Sequence, residues 1–497
     1  MNLQEVYKFI KKHPYFISLA FVFVFYICFP TNNSSQDGYF YAGHVAYNES
    51  LFWPHHFLHS PLIFLINGLL KVVGITIDIL ALSKMVNSVF AIVNLVILKN
   101  FLEYLNVSKK EIILYLFVLG FSFSLWRYGT ENETYIIPST FSLLGSFYLL
   151  KFTHFTKNKY LFLSGFFMTI SCLFHQLYIF WWAGLLVSSF LHKKSIKTVF
   201  IYSVSFVLVL IAYVLALVFY EKETLTFENL MHFVLQEFYG GTVGTDFGWK
   251  GIFFQVVNTF RTFFQVHPTI YYLIQKSFIF CIPLLLGGYL FYQFFSKVRK
   301  KELLQKKKHS ESLFVKTHII IAIVVYLFAY YNMGNVEFMI SLPYILVLCL
   351  AILFKLNNQF LQTLAITLFI WNFTYGIGPN YFLKYYNDDV LVNYMIENPK
   401  ESYIIKNNFT RNNYFYKTGI YNPDNIKHYM NTSIVLEELF KETDCIYTDL
   451  IDKPTILNKE TVVIEENLSV LFEKYTTTKI LSYDGFYGTS TIYKVCK

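Results

Sequence analysis

The chain has 497 residues, of which 55% are hydrophobic and only 15% are charged. Its mean hydropathy is +0.43. Soluble globular proteins are about 25% charged, so the composition excludes an ordinary soluble domain and indicates a membrane protein. The net charge of +9 is by itself compatible with a nucleic-acid partner. The positions of the basic residues, described below, decide between that partner and membrane topology.

The chain opens with a short basic segment, residues 1–12, and continues into an apolar run, residues 15–30. This resembles the first two regions of a signal peptide. No small-residue cleavage site follows and many more apolar runs do, so we expect an uncleaved first span. Residues 61–74 are too short to span a membrane and are predicted to form an interfacial helix.

Ten further apolar runs are each interpreted as a span, which gives about eleven spans with an error of one or two. These runs are residues 80–98, 112–126, 136–150, 160–174, 177–191, 199–220, 270–295, 314–331, 336–354 and 360–375.

Lysines cluster after every second span, on the side of the membrane that holds the N-terminus. The positive-inside rule places that side in the cytoplasm. The +9 charge therefore follows from membrane topology, and no nucleic-acid partner is expected. Nearly all of the acids and histidines of the membrane region gather on the opposite, outer face.

Residues 37–67 form the first outer loop and contain one of the clearest polar patterns. Asp37, Tyr41, His44 and Asn48 fall at i, i+4, i+7 and i+11, which predicts one polar stripe along a helix lying against the membrane. An isolated carboxylate such as Asp37 beside an apolar cavity suits a general base. The alternative is that Asp37 caps a helix beginning at Gly38.

The histidines of this loop have two interpretations. His55 and His59 have the i, i+4 spacing of a metal pair on a helix. Because prolines flank them, we favour contacts of His55 and His56 with a substrate phosphate. His175, at the end of the fifth span, is either functional or a polar end-cap.

The second outer loop, residues 126–135, brings Arg127, Glu131 and Glu133 together. An arginine there can hold a phosphate through two hydrogen bonds, and an acid can bind a sugar hydroxyl or orient a base. The alternative is a simple ion pair between Arg127 and Glu131. Glu337, at a later outer turn, is a substrate contact or a loop residue.

From about residue 380 the composition becomes polar and predicts a small α/β domain on the outer side. Residues 402–405, 445–447 and 461–464 are predicted strands, and residues 433–441 and 467–475 are predicted helices. Cys445 and Cys496 are expected to pair only if this domain faces an oxidising compartment.

These motifs resemble the GT-C class of integral-membrane glycosyltransferases, of the protein mannosyltransferase and aminoarabinose transferase type. An acid follows the first span (Asp37-Gly38-Tyr39), His59-Ser-Pro61-Leu62 opens an interfacial helix, and Glu133-Thr-Tyr135 lies in the second outer loop. The resemblance implies transfer of a sugar from a polyprenyl-phosphate donor to a glycan, lipid or protein acceptor on the outer face.

By this resemblance Asp37 is the general base, with Arg127, Arg261 or the His55/His56 pair at the lipid phosphate. Many relatives have a second acid beside the first, where this chain has Gly38. Glu131 or Glu133 would have to be that second acid, so we expect transfer without a metal or other cofactor. The site set is therefore catalytic Asp37 and Glu133 and substrate-binding Arg127, Glu131, His44, His55, His56, His175, Arg261 and Glu337.

The predicted fold class is an all-α polytopic membrane protein with a small extracytoplasmic α/β domain. The expected boundaries are residues 1–378 for the membrane domain, with large outer loops at 31–79 and 221–268, and 379–497 for the outer domain. The expected location is a bacterial inner membrane.

A flippase for a lipid-linked sugar is one alternative function, disfavoured because mid-span charges are nearly absent. A glycan polymerase or ligase using residues 221–268 is another.

Overall fold

The computed structural model describes residues 12–239, 248–307, 312–332, 334–428, 432–453 and 472–497. Within these ranges, seven helices are long and apolar enough to cross a membrane, and the chain is an integral membrane protein. These helices are Ile79–Tyr104, Ile136–Phe155, Ile196–Tyr220, Phe278–Arg299, Ser312–Tyr331, Val336–Leu353 and Asn358–Phe382.

The predicted count of eleven spans is not confirmed. Lys109–Gly120 and Phe123–Gly129 meet at a 62° bend and add an eighth candidate span if counted together. Three more predicted spans are helical but short: Pro14–Cys28 and Ile179–Lys193 have 15 residues each, and Asn158–Phe174 has 17. A helix rises 1.5 Å per residue, so each falls short of a hydrocarbon layer of about 30 Å.

The remaining helices lie outside the candidate spans. They are Gln36–Tyr47, His59–Val72, Phe227–Val234, Gln236–Tyr239, Trp249–Arg261, Thr269–Lys276, Asp389–Glu397, Asn408–Thr418 and Thr432–Glu442. His59–Val72 has 14 residues, the length predicted for an interfacial helix, and exposes Leu65, Leu69 and Val72.

Two sheets are present among the described residues. Strands β1 (Leu304–Lys306) and β2 (Phe354–Leu356) form an antiparallel pair between membrane helices. The other five strands lie in the C-terminal region, residues 379–497, in the order β4-β3-β5-β7-β6. They are β3 (Tyr403–Ile405), β4 (Ile426–His428), β5 (Cys445–Thr448), β6 (Thr476–Gly485) and β7 (Gly488–Cys496).

The C-terminal region is an α/β unit, as predicted. Strand β3 pairs in parallel with β4 and β5, and β7 pairs antiparallel with β5 and β6. A disulfide between Cys445 and Cys496 joins β5 to β7. The strand predicted at 461–464 and most of the helix predicted at 467–475 lie outside the described residues.

The C-terminal region packs directly on the first outer loop. Helix Asn408–Thr418, here called the docking helix, lies against helix Gln36–Tyr47, the first outer helix. A Cβ atom at Gly43 would lie 2.5 Å from the Phe415 ring, so only glycine permits this approach. Asn412 Nδ2 donates to the Gln36 carbonyl at 2.9 Å, and Tyr416 donates to Asp78. The first outer helix is thus covered by protein on this side, where the sequence predicted membrane.

Candidate functional site

Asp37 lies in the first turn of the first outer helix, and Ser35 is the N-cap. The Ser35 hydroxyl accepts a hydrogen bond from the Gly38 amide at 2.9 Å. The alternative that Asp37 caps a helix beginning at Gly38 is therefore wrong, because the helix begins at Gln36. The Asp37 side chain is half-buried.

The polar stripe of this helix faces other side chains. Tyr41 is buried, with its ring 5.4 Å from that of His56 and 5.6 Å from that of His59. His44 is also buried: its Nδ1 donates to the Glu49 carbonyl at 2.9 Å. His44 therefore helps to close the helix end rather than facing an open cavity.

Four acids act electrostatically on Tyr41. Burial raises the pKa of the Tyr41 phenol most, and the charges of Asp37, Glu133, Glu237 and Glu337 raise it further. Glu133 is itself only 3% exposed. Burial, followed by the charges of Glu337 and Asp37, raises the pKa of the Glu133 carboxyl well above its usual range. The shift in pKa favours the protonated form of Glu133.

A histidine and tyrosine cluster lies beneath these acids. The His175 ring packs 4.5 Å from His56 and 4.6 Å from Tyr135, whose hydroxyl lies 3.5 Å from Glu337 Oε2. Burial lowers the pKa of both histidines, so they are neutral at pH 7. His55 lies at the edge of this cluster: its ring is 6.0 Å from that of His56, and its Nδ1 is 3.9 Å from Glu237.

Arg127 and Glu131 form the ion pair that the sequence left open. Arg127 Nη1 lies 2.9 Å from Glu131 Oε2 and 2.8 Å from Thr31 Oγ1. Glu131 also accepts from the backbone amides of Ser35 and Asn132. Glu131 therefore fixes Arg127 and the first outer loop, and its carboxylate is not exposed to a substrate.

A cavity of about 300 Å³, here called the outer cavity, lies between the outer loops and the C-terminal region. Both candidate phosphate-binding arginines, Arg127 and Arg261, line it. Ser34, Ser35 and Tyr39 line it as well, and Asp37 lies between them in the chain. Asp37 and Glu133 themselves are not among the residues that line it. Its other lining residues include His267, Asn380, Lys384, Tyr385, Tyr386, Asn387, Asp388, Asp389 and Asn413.

Arg261 is the one charged side chain of this cavity that makes no ion pair within the described part of the chain. Its Nε donates to Gln265 Oε1 at 3.1 Å, and its guanidinium lies over the Phe123 ring. Burial lowers the pKa of Arg261, and the positive charge of Arg127 adds to that effect. Two neighbouring guanidinium groups and one missing counter-ion favour an anion here.

The other charges in the cavity are already compensated. Lys384 pairs with Asp389 at 3.2 Å, and Lys453, which is buried, pairs with Asp388 at 2.5 Å. Burial and the charge of Arg261 lower the pKa of His267 to about 3, so it is neutral. Its Nδ1 accepts from the Thr269 amide, which leaves Nε2 as a donor.

A second cavity of about 320 Å³ lies between the first outer loop and residues 217–236. It is lined by Phe52, Trp53, Glu221, Glu223, Asn229 and His232, among others, and has no lysine or arginine in its described wall. It is therefore unsuited to a phosphate.

No group of three or more His, Cys, Asp or Glu side chains in the described ranges is arranged to hold a metal ion. The metal independence expected from the sequence stays a prediction.

Three residues that line the outer cavity, Lys384, Tyr385 and Asn413, were not predicted as site residues. The only signal for Lys384 and Tyr385 is their position directly after the last predicted span, on the side predicted to be extracytoplasmic.

Comparisons with known proteins give matches in structure alone. No protein-family model matches the sequence, and no curated protein matches it. The fold resembles ArnT from Cupriavidus metallidurans, solved bound to undecaprenyl phosphate, with a TM-score of 0.51 and 8% sequence identity. That match covers 96% of each chain.

Structures of the oligosaccharyltransferase from Archaeoglobus fulgidus superpose less well. One, the AglB protein with an inhibitory peptide and a dolichol-phosphate, has a TM-score of 0.44 and 12% identity, covering 97% of this chain and 74% of that one. Another, with Zn and sulfate, has a TM-score of 0.41 and 12% identity, covering 87% and 68%. The ArnT match confirms the resemblance at the level of fold: this chain has a GT-C fold over nearly its whole length.

Proposed function

We propose that this protein is a membrane glycosyltransferase that moves a sugar from a polyprenyl-phosphate donor to an acceptor at the extracytoplasmic face. The observation that carries the proposal is that the Arg261 guanidinium, beside Arg127, has no ion-pair partner among the described residues. Both arginines line a cavity whose wall includes Ser35 and Tyr39, near neighbours of Asp37 in the chain. The fold resemblance to ArnT, which was solved with undecaprenyl phosphate, supports this class of donor.

In this proposal the donor phosphate binds to Arg127 and Arg261. Both guanidinium groups donate to its oxygens, and Arg127 is already held in place by Glu131. When the bond between the phosphate oxygen and the anomeric carbon breaks, the leaving phosphate gains negative charge. Fixed donors in a partly buried site stabilise that charge more effectively than water does.

Asp37 is the general base. It takes the proton of the acceptor hydroxyl while the acceptor oxygen forms a bond to the anomeric carbon. Glu133, protonated for the reasons given above, is the neutral member of the pair. When two carboxyl groups of one site have different surroundings, their pKa values differ. The group with the raised pKa, here Glu133, stays neutral, and the other group, here Asp37, acts as the base. The polyprenyl phosphate then leaves, and no metal is required to balance these steps.

The Asp37→Asn variant tests this assignment. It preserves the size of the side chain and one acceptor oxygen but removes the base, so transfer should fall by at least about 100-fold. The measurement is mass analysis of lipid-linked sugars and surface glycans in cells that carry the variant as their only copy. The expected result is accumulation of the donor lipid and loss of the glycosylated product.

Glu49→Gln is the matched control, because Glu49 is an exposed acid of the same outer loop and does not line the outer cavity. It should leave transfer unchanged. Normal transfer by Asp37→Asn at normal expression would exclude Asp37 as the base.

A further inference from the structure

Two buried polar atoms in the wall of the outer cavity have no hydrogen-bond partner among the described residues. They are the hydroxyl of Ser34, on the first outer loop, and Oδ1 of Asn413, on the docking helix. Ser34 is 3% exposed and Asn413 is 4% exposed. Buried polar groups are normally paired, so these two atoms indicate that a polar ligand completes the site.

The orientation of the Asn413 amide is fixed by its neighbour. Its Nδ2 donates to Asp389 Oδ1 at 3.0 Å, and the reverse orientation would place two acceptors against each other. The free atom of Asn413 is therefore a carbonyl oxygen, which accepts a hydrogen bond from a hydroxyl. The Ser34 hydroxyl can both donate and accept.

The charges around these atoms select against an ionised ligand group. Asp389 is held by Lys384 and Lys417, and Asp388 is held by Lys453. No carboxylate of the described wall is left to pair with an ammonium group. Arg261, the cation without an ion-pair partner, is assigned to the donor phosphate. No cation of the described wall is therefore left to pair with a carboxylate on the sugar.

We propose that Ser34 and Asn413 form a subsite for a neutral, hydroxyl-bearing sugar on the donor lipid. Tyr39, Tyr385 and Tyr386 also line the cavity and supply aromatic faces on which a sugar ring packs. The subsite combines one residue of the membrane region with one of the C-terminal region, so it is complete only when the two are docked. This inference rests on the proposed function, since it places the sugar next to the phosphate.

Binding to the full-length chain in lipid nanodiscs tests the subsite. The probes are a polyprenyl-phosphate-linked neutral hexose and the bare polyprenyl phosphate. Asn413→Ala should weaken binding of the hexose lipid by about five- to tenfold, the usual effect of losing one neutral hydrogen bond, and leave the bare lipid unaffected. Ser34→Ala, on the first outer loop, is a second and independent variant with the same expected result.

Thr410→Val is the matched control. Thr410 lies on the same helix, is 0% exposed and also has a hydroxyl without a hydrogen-bond partner among the described residues, but it does not line the cavity. Its replacement should leave the affinity for both lipids unchanged. If Asn413→Ala and Ser34→Ala weaken both lipids equally, or weaken neither, the subsite is contradicted.

Two further measurements separate the failure of the subsite from failure of the proposed function. Arg261→Gln should weaken both lipids, and an unchanged affinity for the bare lipid would overturn the phosphate site itself. A lipid carrying an amino sugar or a uronic acid should bind less tightly than the neutral hexose lipid. Tighter binding of either charged sugar would overturn the subsite while leaving the phosphate site intact.

Discussion

At the scale of single residues, similar carboxyl groups have different roles because their surroundings differ. The Glu131 carboxylate accepts hydrogen bonds from Arg127 and from two backbone amides. Glu133 is buried and has no ion-pair partner among the described residues. The sequence identified both acids and Arg127 as a group. The sequence could not separate the roles of the two acids, since both follow Arg127 within six residues. Only the path of the backbone decides which acid reaches the Arg127 guanidinium.

Glu133→Gln should stabilise the folded protein at neutral pH. The raised pKa means that the folded state binds the Glu133 proton more tightly than the unfolded state does. Above the ordinary glutamate pKa of 4.5, this group therefore lowers the free energy of unfolding. The loss is about 1.4 kcal/mol for each pH unit, until the pH reaches the pKa of Glu133 in the folded protein. Thermal unfolding at pH 7 and pH 4 measures the effect.

The expected result is a higher Tm for Glu133→Gln than for the parent at pH 7, and no difference at pH 4. Glu131→Gln is the matched comparison and should lower Tm, because it breaks the ion pair with Arg127. A lower Tm for Glu133→Gln at pH 7 would contradict a protonated Glu133.

At the scale of elements, the site depends on one close helix contact between distant parts of the chain. Gly43 lets the docking helix lie directly on the first outer helix, with the Phe415 ring where a Cβ would be. No periodicity in the sequence predicts this pairing, because more than 350 residues separate the two helices along the chain. The polar stripe predicted the first outer helix correctly but not what would cover it.

Gly43→Ala should displace the docking helix, since a new methyl group would lie 2.5 Å from the Phe415 ring. Overpacking of this kind costs about 1 to 3 kcal/mol. Limited proteolysis of the C-terminal region measures the displacement, and the double variant Gly43→Ala with Phe415→Ala should restore protection. Gly68→Ala is the control, because nothing lies within 4 Å of a Cβ there. Equal protection in Gly43→Ala and Gly68→Ala would contradict the docking contact.

Long apolar elements were predicted well, as were the short strands at 402–405 and 445–447, whereas a bend and a hairpin were not. The span predicted at 80–98 lies within Ile79–Tyr104, and the span predicted at 314–331 nearly matches Ser312–Tyr331. The bend between Gly120 and Phe123 was missed, because the hydropathy of a segment does not depend on the direction of its helix axis. The hairpin of β6 and β7 was also missed, although alternation around Asp484-Gly485 is a usual hairpin signal.

At the scale of the whole molecule, the C-terminal region forms part of the site wall. Lys384, Tyr385 and Asn413 line the outer cavity, and the Tyr487 hydroxyl meets Thr269 at 2.6 Å, beside His267. The sequence predicted an α/β unit on the outer side but assigned it no part in the site. Its contribution arises only from packing, which a single sequence does not encode as a local pattern.

The Cys445–Cys496 disulfide gives a direct test of membrane orientation. Disulfides persist in oxidising compartments, so the C-terminal region is expected outside the cytoplasm. In intact cells, a membrane-impermeant maleimide should label these two cysteines only after mild reduction. The double variant Cys445→Ser, Cys496→Ser is the control for labelling at other cysteines. Labelling that requires membrane permeabilisation would place this region on the cytoplasmic side.

The outer cavity is proposed to hold the phosphate of a polyprenyl-phosphate donor, and every other role assigned to the site depends on that placement. A cryo-electron microscopy structure of the full chain in nanodiscs with polyprenyl phosphate tests it most directly. Phosphate density is expected within about 3 Å of the Arg261 guanidinium and within reach of Arg127. Phosphate density in the second cavity, beside Trp53 and His232, or at the cytoplasmic side would contradict it.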